Sequence, residues 1–365
     1  MDLQAVQLDR KIIRKSSNRI KDNDLIAGYY ERMNAETDNP AYCTRAEAVK
    51  GCFKLWDIDY YRKQKVKDIL RINLCRDKFC LNCQAMLALR RQAKYKPELD
   101  RLEKKYDIYH VVFTVPNVDG EELTGTLKRM YLKFPYVVQY FQGKRKAKGV
   151  DFSRYGFAGA VRSLEITTKR EYGQAEYHPH FHCLFLLRKG LSLEKRYINN
   201  YSFSGNRSRP RKFTGLEILL QKIWYFFLND GKLTVSALDS LTEGYSVTAD
   251  KSNGNYHEVF KYACKGAFKD GAIYDYEVFK TLYHALYRRK IIQGYGLLNK
   301  FDFDDDIDAE EVEAIYIDII TQLRRVEGPE RQHVLLKKIL SDLEAETEIK
   351  YISRNLIRAA LAKKE

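Results

Sequence analysis

The sequence predicts an α+β protein: an antiparallel β-sheet covered by helices, with a zinc-ribbon-like N-terminal region and a helical C-terminal region. Three observations lead there. Apolar runs with period-two alternation or strand-like continuity occur at Tyr109–Asn117, Val161–Thr168 and Tyr177–Leu187. Cysteines 52, 75, 80 and 83 gather in one short region. Charged stretches with helical spacing occupy both ends of the chain.

With 365 residues, 45% of them hydrophobic and 13% aromatic, the chain has the length and composition for two or three globular domains. Its formal charge of +15 favours a polyanionic partner, because lysines and arginines gain affinity by releasing the counterions of phosphates. A membrane surface is disfavoured: no run of 18 apolar residues occurs, and MDLQAVQLDRKIIRK carries charges where an apolar signal core would stand. The expectation is a cytoplasmic protein with no membrane partner, whose seven cysteines stay reduced.

Residues 1–50 read as a helical lead-in, with apolar spacing at Ile12, Ile13, Ile20, Leu25, Ile26 and Tyr29. Residues 51–106 hold the cysteines. In LCRDKFCLNC a Cys-x-x-Cys pair, Cys80 and Cys83, follows Cys75 by five residues, and Cys52 is the best fourth ligand, with Cys43 behind it. Such a knuckle lets two thiolates grip one ion from a tight turn, so structural Zn²⁺ is expected. The other readings are buried small hydrophobes or a redox pair. The stretch Leu87–Tyr106 reads as a basic helix interrupted at Pro97.

Residues 107–300 carry the chemistry. YHVVFTVPN reads as a buried strand stopped by Pro116, which lacks an N–H for the ladder. A helical segment with the basic cluster Lys144–Lys148 follows. In the strand Val161–Thr168, Leu164 and Ile166 face one side while Ser163, Glu165 and Thr167 face the other. Glu165 in mid-strand requires solvent or a cation.

The stretch YHPHFHCLFLL, Tyr177–Leu187, holds three of the seven histidines. Strand parity puts His180 and His182 on one face and Phe181, Cys183, Phe185 and Leu187 on the other, so two imidazoles stand ready to share a metal ion. If this strand pairs with Val161–Thr168, Glu165 completes a two-histidine, one-carboxylate site. His178 shares the parity but precedes Pro179, and is read as a substrate or supporting contact. The basic loop Arg188–Lys212, interleaved with Tyr197, Tyr201 and Phe203, has the side chains that single-stranded nucleic acid needs.

YHEVFKYACKG, Tyr256–Gly266, reads as a short helix closed by a glycine, in which Glu258 and Tyr262 are four residues apart and share a face with Lys261 and Lys265 beside the tyrosine. An ordinary capping glutamate and an ordinary tyrosine would look the same. Residues 301–365 form an acidic linker, beginning FDFDDDIDAEEVE, and an amphipathic helical tail that is a candidate for dimerisation or helicase recruitment.

Taken in order, FTVPN, SLEIT, HPHFH and EVFKYACKG resemble the rolling-circle plasmid replication initiators within the His-hydrophobe-His (HUH) endonucleases, over roughly two thirds of the chain. The resemblance implies that residues 107–300 are an HUH nuclease domain. It implies that Tyr262 attacks a DNA phosphodiester, that His180 and His182 hold a divalent metal, and that Glu258 activates water for the terminating cleavage; on chemical grounds Glu165 is the expected oxygen ligand, Mn²⁺ or Mg²⁺ the ion and a 5′-phosphotyrosine the product. Lys265 or Lys261 would stabilise the phenolate, since a phenol with a pKa near 10 is a weak nucleophile at neutral pH. The implied partners are plasmid origin DNA, single-stranded or extruded as a hairpin, with a host helicase and polymerase; a homodimer also fits. The family commonly has Pro at the position of Leu81 and Gly at that of Phe53, departures that bear on the zinc site alone. The alternatives are a conjugative relaxase or single-strand transposase with the same chemistry, and a non-catalytic zinc-ribbon DNA-binding regulator.

Overall fold

The computed structural model describes residues 22–52, 56–61, 66–72, 75–171, 174–194, 196–197, 202–203, 212–254, 256–260, 264–265, 268–269, 272–273, 275–299, 322–323, 325–326 and 328–346. The chain divides into two compact units, Met1–Lys94 with Asp306–Glu365, and Tyr95–Asp305.

The first unit opens with helix α1, residues 22–37, followed by α2, Pro40–Gly51. Asn39 caps α2, its side chain accepting from the Ala41 N–H, and proline at the first helical position gives up an N–H that has no helical partner. Strands β1 (Trp56–Tyr61) and β2 (Val66–Ile72) form an antiparallel pair with one register shift between Asp57 and Ile58. Helix α3 spans Leu81–Glu103 and counts with the second unit from Tyr95 onward. It starts at the cysteine knuckle and runs through Pro97, where the sequence predicted an interruption. Tyr95, Leu99 and Leu102 are buried on either side of the proline, and that packing outweighs the lost hydrogen bond.

In the second unit the central sheet is built from β3 (Tyr106–Thr114), β4 (Gly159–Glu171), β5 (Gln174–Arg188), β6 (Val247–Lys251), β7 (Cys264–Lys265) and β8 (Ile292–Gly296). The order is β6-β3-β5-β4, and the far edge of β4 is shared: β8 pairs with Gly159–Ser163 and β7 with Ile166–Thr167. All pairs are antiparallel except β7 with β4, so the expected antiparallel sheet has one short parallel edge. A Cβ on Gly294 would stand 2.0 Å from the Leu298 carbonyl oxygen, which explains glycine in IIQGYGLL.

One sheet face carries Phe113, Phe181 and Phe185 and is covered by α4 (Gly120–Phe141), capped by Asp119, and α5 (Gly215–Leu228), capped by a Thr214/Glu217 capping box. Phe134 of α4 meets Phe113 and Phe181 edge-on at centroid distances of 5.4 Å each. Trp224 of α5 is fully buried, and its Nε1–H donates to the Thr114 carbonyl at 2.9 Å. Arg162 is buried among these rings, its guanidinium 4.2 Å from the Tyr131 ring and 4.7 Å from that of Phe181.

The opposite face is covered along one half. There Tyr95, Leu99 and Leu102 of α3 and Val259 and Phe260 of α6 (His257–Phe260) bury Ile108, Val161, Leu184 and Leu186. The other half of that face holds the histidines. A further helix, α7 (Tyr276–Leu286), is capped by Asp275 and lies beside α4.

Phe134→Ala removes a fully buried ring from the centre of the aromatic core. A loss of about 3–5 kcal/mol is expected in urea unfolding, with the slope unchanged. A loss below about 1 kcal/mol would show that the cluster is not the main support of the sheet.

Candidate metal centres on the sheet and at the cysteine knuckle

The sheet register assembles the first site. His180 lies directly across from Glu165 on β4, and His182 across from Ser163. On the other side His180 faces Thr114, and His182 faces Val112 of β3. Directly opposed residues share a face, so the period-two alternation read from the sequence brings His180, His182 and Glu165 together. Nε2 of His182 is 2.8 Å and Nε2 of His180 3.7 Å from Glu165 Oε2. All three residues are at least nine-tenths buried.

Each imidazole is oriented differently. Nδ1 of His180 stands 3.1 Å from the carbonyl oxygen of His178, an atom that only accepts, so Nδ1 carries the proton and Nε2 keeps its lone pair. Nδ1 of His182 stands 3.0 Å from Nε2 of His110 on β3. His178 thus serves through its backbone, and its ring lies beside that of His180 at a centroid distance of 5.1 Å. Burial opposes ionisation of Glu165, but the closeness of His180 and His182 holds its carboxyl well below the usual carboxylate range.

The donor set fits a divalent cation. Nε2 of His182 is buried close to Glu165 Oε2 without the alignment of a hydrogen bond, and the three ligand atoms lie within 4.8 Å of one another. Cis ligands around a cation with bonds of about 2.1 Å stand about 3 Å apart. Two imidazoles and a carboxylate leave other coordination positions open.

Cys52, Cys75, Cys80 and Cys83 converge at the second site, in the first unit. Cys52 follows α2 as its C-cap, and Cys83 lies in the first turn of α3. The Sγ atoms of Cys52 and Cys83 are 3.6 Å apart, those of Cys75 and Cys83 3.7 Å, and those of Cys80 and Cys52 3.4 Å. A tetrahedron with Zn–S bonds of about 2.3 Å has edges of about 3.8 Å, so the sulfurs match the coordination shell of a single zinc ion. Hydrogen bonds from Cys52, Cys75 and Cys80 lower the pKa of the Cys83 thiol, while those involving Cys52, Cys80 and Cys83 raise that of Cys75. Four thiolates this close ionise together only around a cation. Backbone N–H groups of Cys75 and Arg76 point at Cys52 and Cys83, at 3.4 and 3.2 Å. Cys43 is exposed and outside the group.

Sequence reasoning missed two residues. Asn23 of α1 is buried; its amide donates to Cys80 Sγ at 3.2 Å and accepts from the Leu81 N–H at 3.2 Å, tying α1 to the knuckle. His110 stood in YHVVFTVPN as one polar residue in an apolar run, which was its only signal.

The third group of residues is only partly described. The sequence predicted a helix over Tyr256–Gly266, but the described helix is confined to His257–Phe260, and Cys264–Lys265 is a strand in register with Ile166–Thr167. Lys265 is therefore on the sheet edge rather than on the helix. The open edge of β4 beyond the β8 pairing takes up the backbone groups of Cys264–Lys265 in place of a further helical turn. Tyr262 and Lys261 lie outside the described residues, as do Tyr201 of the basic loop and the acidic linker at 301–313.

Residues 66–204, which include β3, β4 and β5, match the family model described as Replication protein. The central region resembles the replication proteins. A Bacillus sp. protein described as Protein rep is 27% identical over 175 residues, 47% of this chain and 53% of that protein. The match thus spans about half the length of that relative. No solved structure matches. Both findings bear out the resemblance to replication proteins; the family match covers FTVPN, SLEIT and HPHFH and ends before EVFKYACKG. No helix among the described residues is long and apolar enough to cross a membrane.

Cys83→Ser is expected to cut zinc, measured by elemental analysis of the purified chain, from about one equivalent to well below half, with Cys43→Ser unchanged. Equal zinc in all three proteins would exclude the knuckle as the zinc site.

Proposed function

We propose that the chain initiates plasmid replication by nicking and joining single-stranded origin DNA, with a divalent cation at Glu165, His180 and His182 and zinc at the four cysteines. The observation that carries the reading is the convergence of those three ligands on a sheet face against which α6 also packs. The next described segment, β7, pairs one residue along β4 from Glu165. The replication-protein match supports the substrate class.

When bound, the cation polarises the scissile phosphate and offsets charge developing on it. His180 and His182 would present their Nε2 atoms to it, and Glu165 a negative carboxylate oxygen. Both Mn²⁺ and Mg²⁺ suit nitrogen and oxygen ligands, Mn²⁺ with the higher intrinsic affinity.

In this reading the phenolic oxygen of Tyr262 attacks phosphorus. Its proton passes to solvent, the bond from phosphorus to the 3′ oxygen breaks, and that oxygen takes a proton. The products are a 5′-phosphotyrosyl ester and a free 3′-OH that primes a polymerase. Lys265, with Lys261, stabilises the phenolate. Glu258 acts as general base for water in the terminating cleavage, so termination forms no second covalent link. Basic side chains supply sequence-independent affinity for the strand.

The test is incubation of the chain with Mn²⁺ and candidate origin DNA, followed by a denaturing gel. Expected are nicked DNA and a DNA-bound protein band that Tyr262→Phe lacks. A persisting band in Tyr262→Phe would remove the tyrosine from its role, and absence of nicking on every single-stranded substrate would favour the DNA-binding regulator. Glu258→Ala is expected to nick at the parental rate but release completed circles about 10²–10⁴-fold more slowly. Release at the parental rate would exclude the glutamate as the base.

A further inference from the structure

We propose that His110 is a positioning residue for the cation site: it holds His182 so that its Nε2 lone pair faces the ion. The inference rests on the reading of Glu165, His180 and His182 as cation ligands. Nε2 of His110 is 3.0 Å from Nδ1 of His182, and the two rings are within 5° of coplanar at a centroid distance of 5.1 Å. With nitrogens at hydrogen-bond distance, that separation sets the rings edge to edge rather than face to face, as an in-line hydrogen bond requires.

The direction of the bond follows from the other nitrogen of His182. Nε2 lies 2.8 Å from a carboxylate oxygen and must keep its lone pair to bind a cation, so Nδ1 carries the proton and donates to His110 Nε2. His110 Nε2 is then the acceptor, and its own proton sits on Nδ1. His110 occurs on β3 across from Leu184, one residue pair along the same face from His182, and Asp250 of β6 lies across from His110 on its other side. This arrangement differs from that of His180, whose Nδ1 is fixed by a main-chain carbonyl. A carbonyl cannot be substituted away, whereas the His182 anchor can be.

The experiment uses the full chain with zinc retained. Mn²⁺ is titrated into the protein without DNA, and free Mn²⁺ is followed by its paramagnetic resonance signal. The parental chain is expected to bind one Mn²⁺, and His182→Ala to abolish that binding. His110→Ala is expected to weaken it by about 10–100-fold. His110→Gln, whose terminal amide reaches the position of Nε2, is expected to restore most of the affinity; His110→Asn, one bond shorter, is not. Thermal unfolding without Mn²⁺ checks that the variants fold alike. If the parental chain and His182→Ala bind Mn²⁺ identically, the cation reading itself fails. If the parental chain binds and His182→Ala does not, but His110→Ala binds as the parent does, the positioning role is overturned and the cation site stands. Equal weakening in His110→Gln and His110→Ala would also overturn it, because a hydrogen-bond role predicts rescue by the amide.

Discussion

The register of β5 between β3 and β4 is the constraint on which the rest of the second unit depends. Strand side chains alternate with period two, so a slip of one residue would send His180 and His182 into the space now filled by Phe134 and Trp224. The same slip would take Phe181, Cys183 and Phe185, each fully buried, out of the aromatic layer, where burial of a phenylalanine is worth about 1.5–3 kcal/mol. The aromatic layer on one face therefore enforces the placement of the polar groups on the other. Ligand geometry here is set by apolar packing that touches none of the ligand atoms.

Burying a carboxylate and two imidazoles is unfavourable unless their charges and lone pairs are matched. The fold answers in two steps. Glu165 is held ionised by the neighbouring histidines against the effect of burial. Each imidazole is then fixed through Nδ1, one by the His178 carbonyl and one by the His110 ring, so that both turn Nε2 to the same carboxylate oxygen. Backbone and side-chain anchors give the same outcome by different routes, which is why HPHFH alone specifies only half of the arrangement.

What the sequence revealed divides along physical lines. Parity is local, so the sharing of a face by His180 and His182, and by Ser163, Glu165 and Thr167, was legible from alternation alone. From the sequence Cys52 ranks ahead of Cys43, and the structure groups Cys52 with Cys75, Cys80 and Cys83 and leaves Cys43 exposed. Pairing between strands is not local: nothing in YHVVFTVPN tells which residue of β3 will stand beside His182, and His110 was passed over. Nor does a glycine-terminated apolar pattern show that Cys264–Lys265 will find an open strand edge on β4; the helix was drawn too long for that reason. Pro97 erred the other way, because burial of Tyr95, Leu99 and Leu102 lies outside any propensity argument.

The two donor sets also differ in what they permit. Four sulfurs, three pairs of which stand 3.4–3.7 Å apart, match a tetrahedron that leaves no position for a substrate, and they draw together α1, α2 and the start of α3. Two nitrogens and one carboxylate oxygen occupy one side of an ion and leave the rest of its shell for ligands from elsewhere. Soft thiolates favour zinc, whereas the mixed nitrogen and oxygen set also accepts harder ions. Each set of ligands selects its ion by donor type rather than by affinity alone.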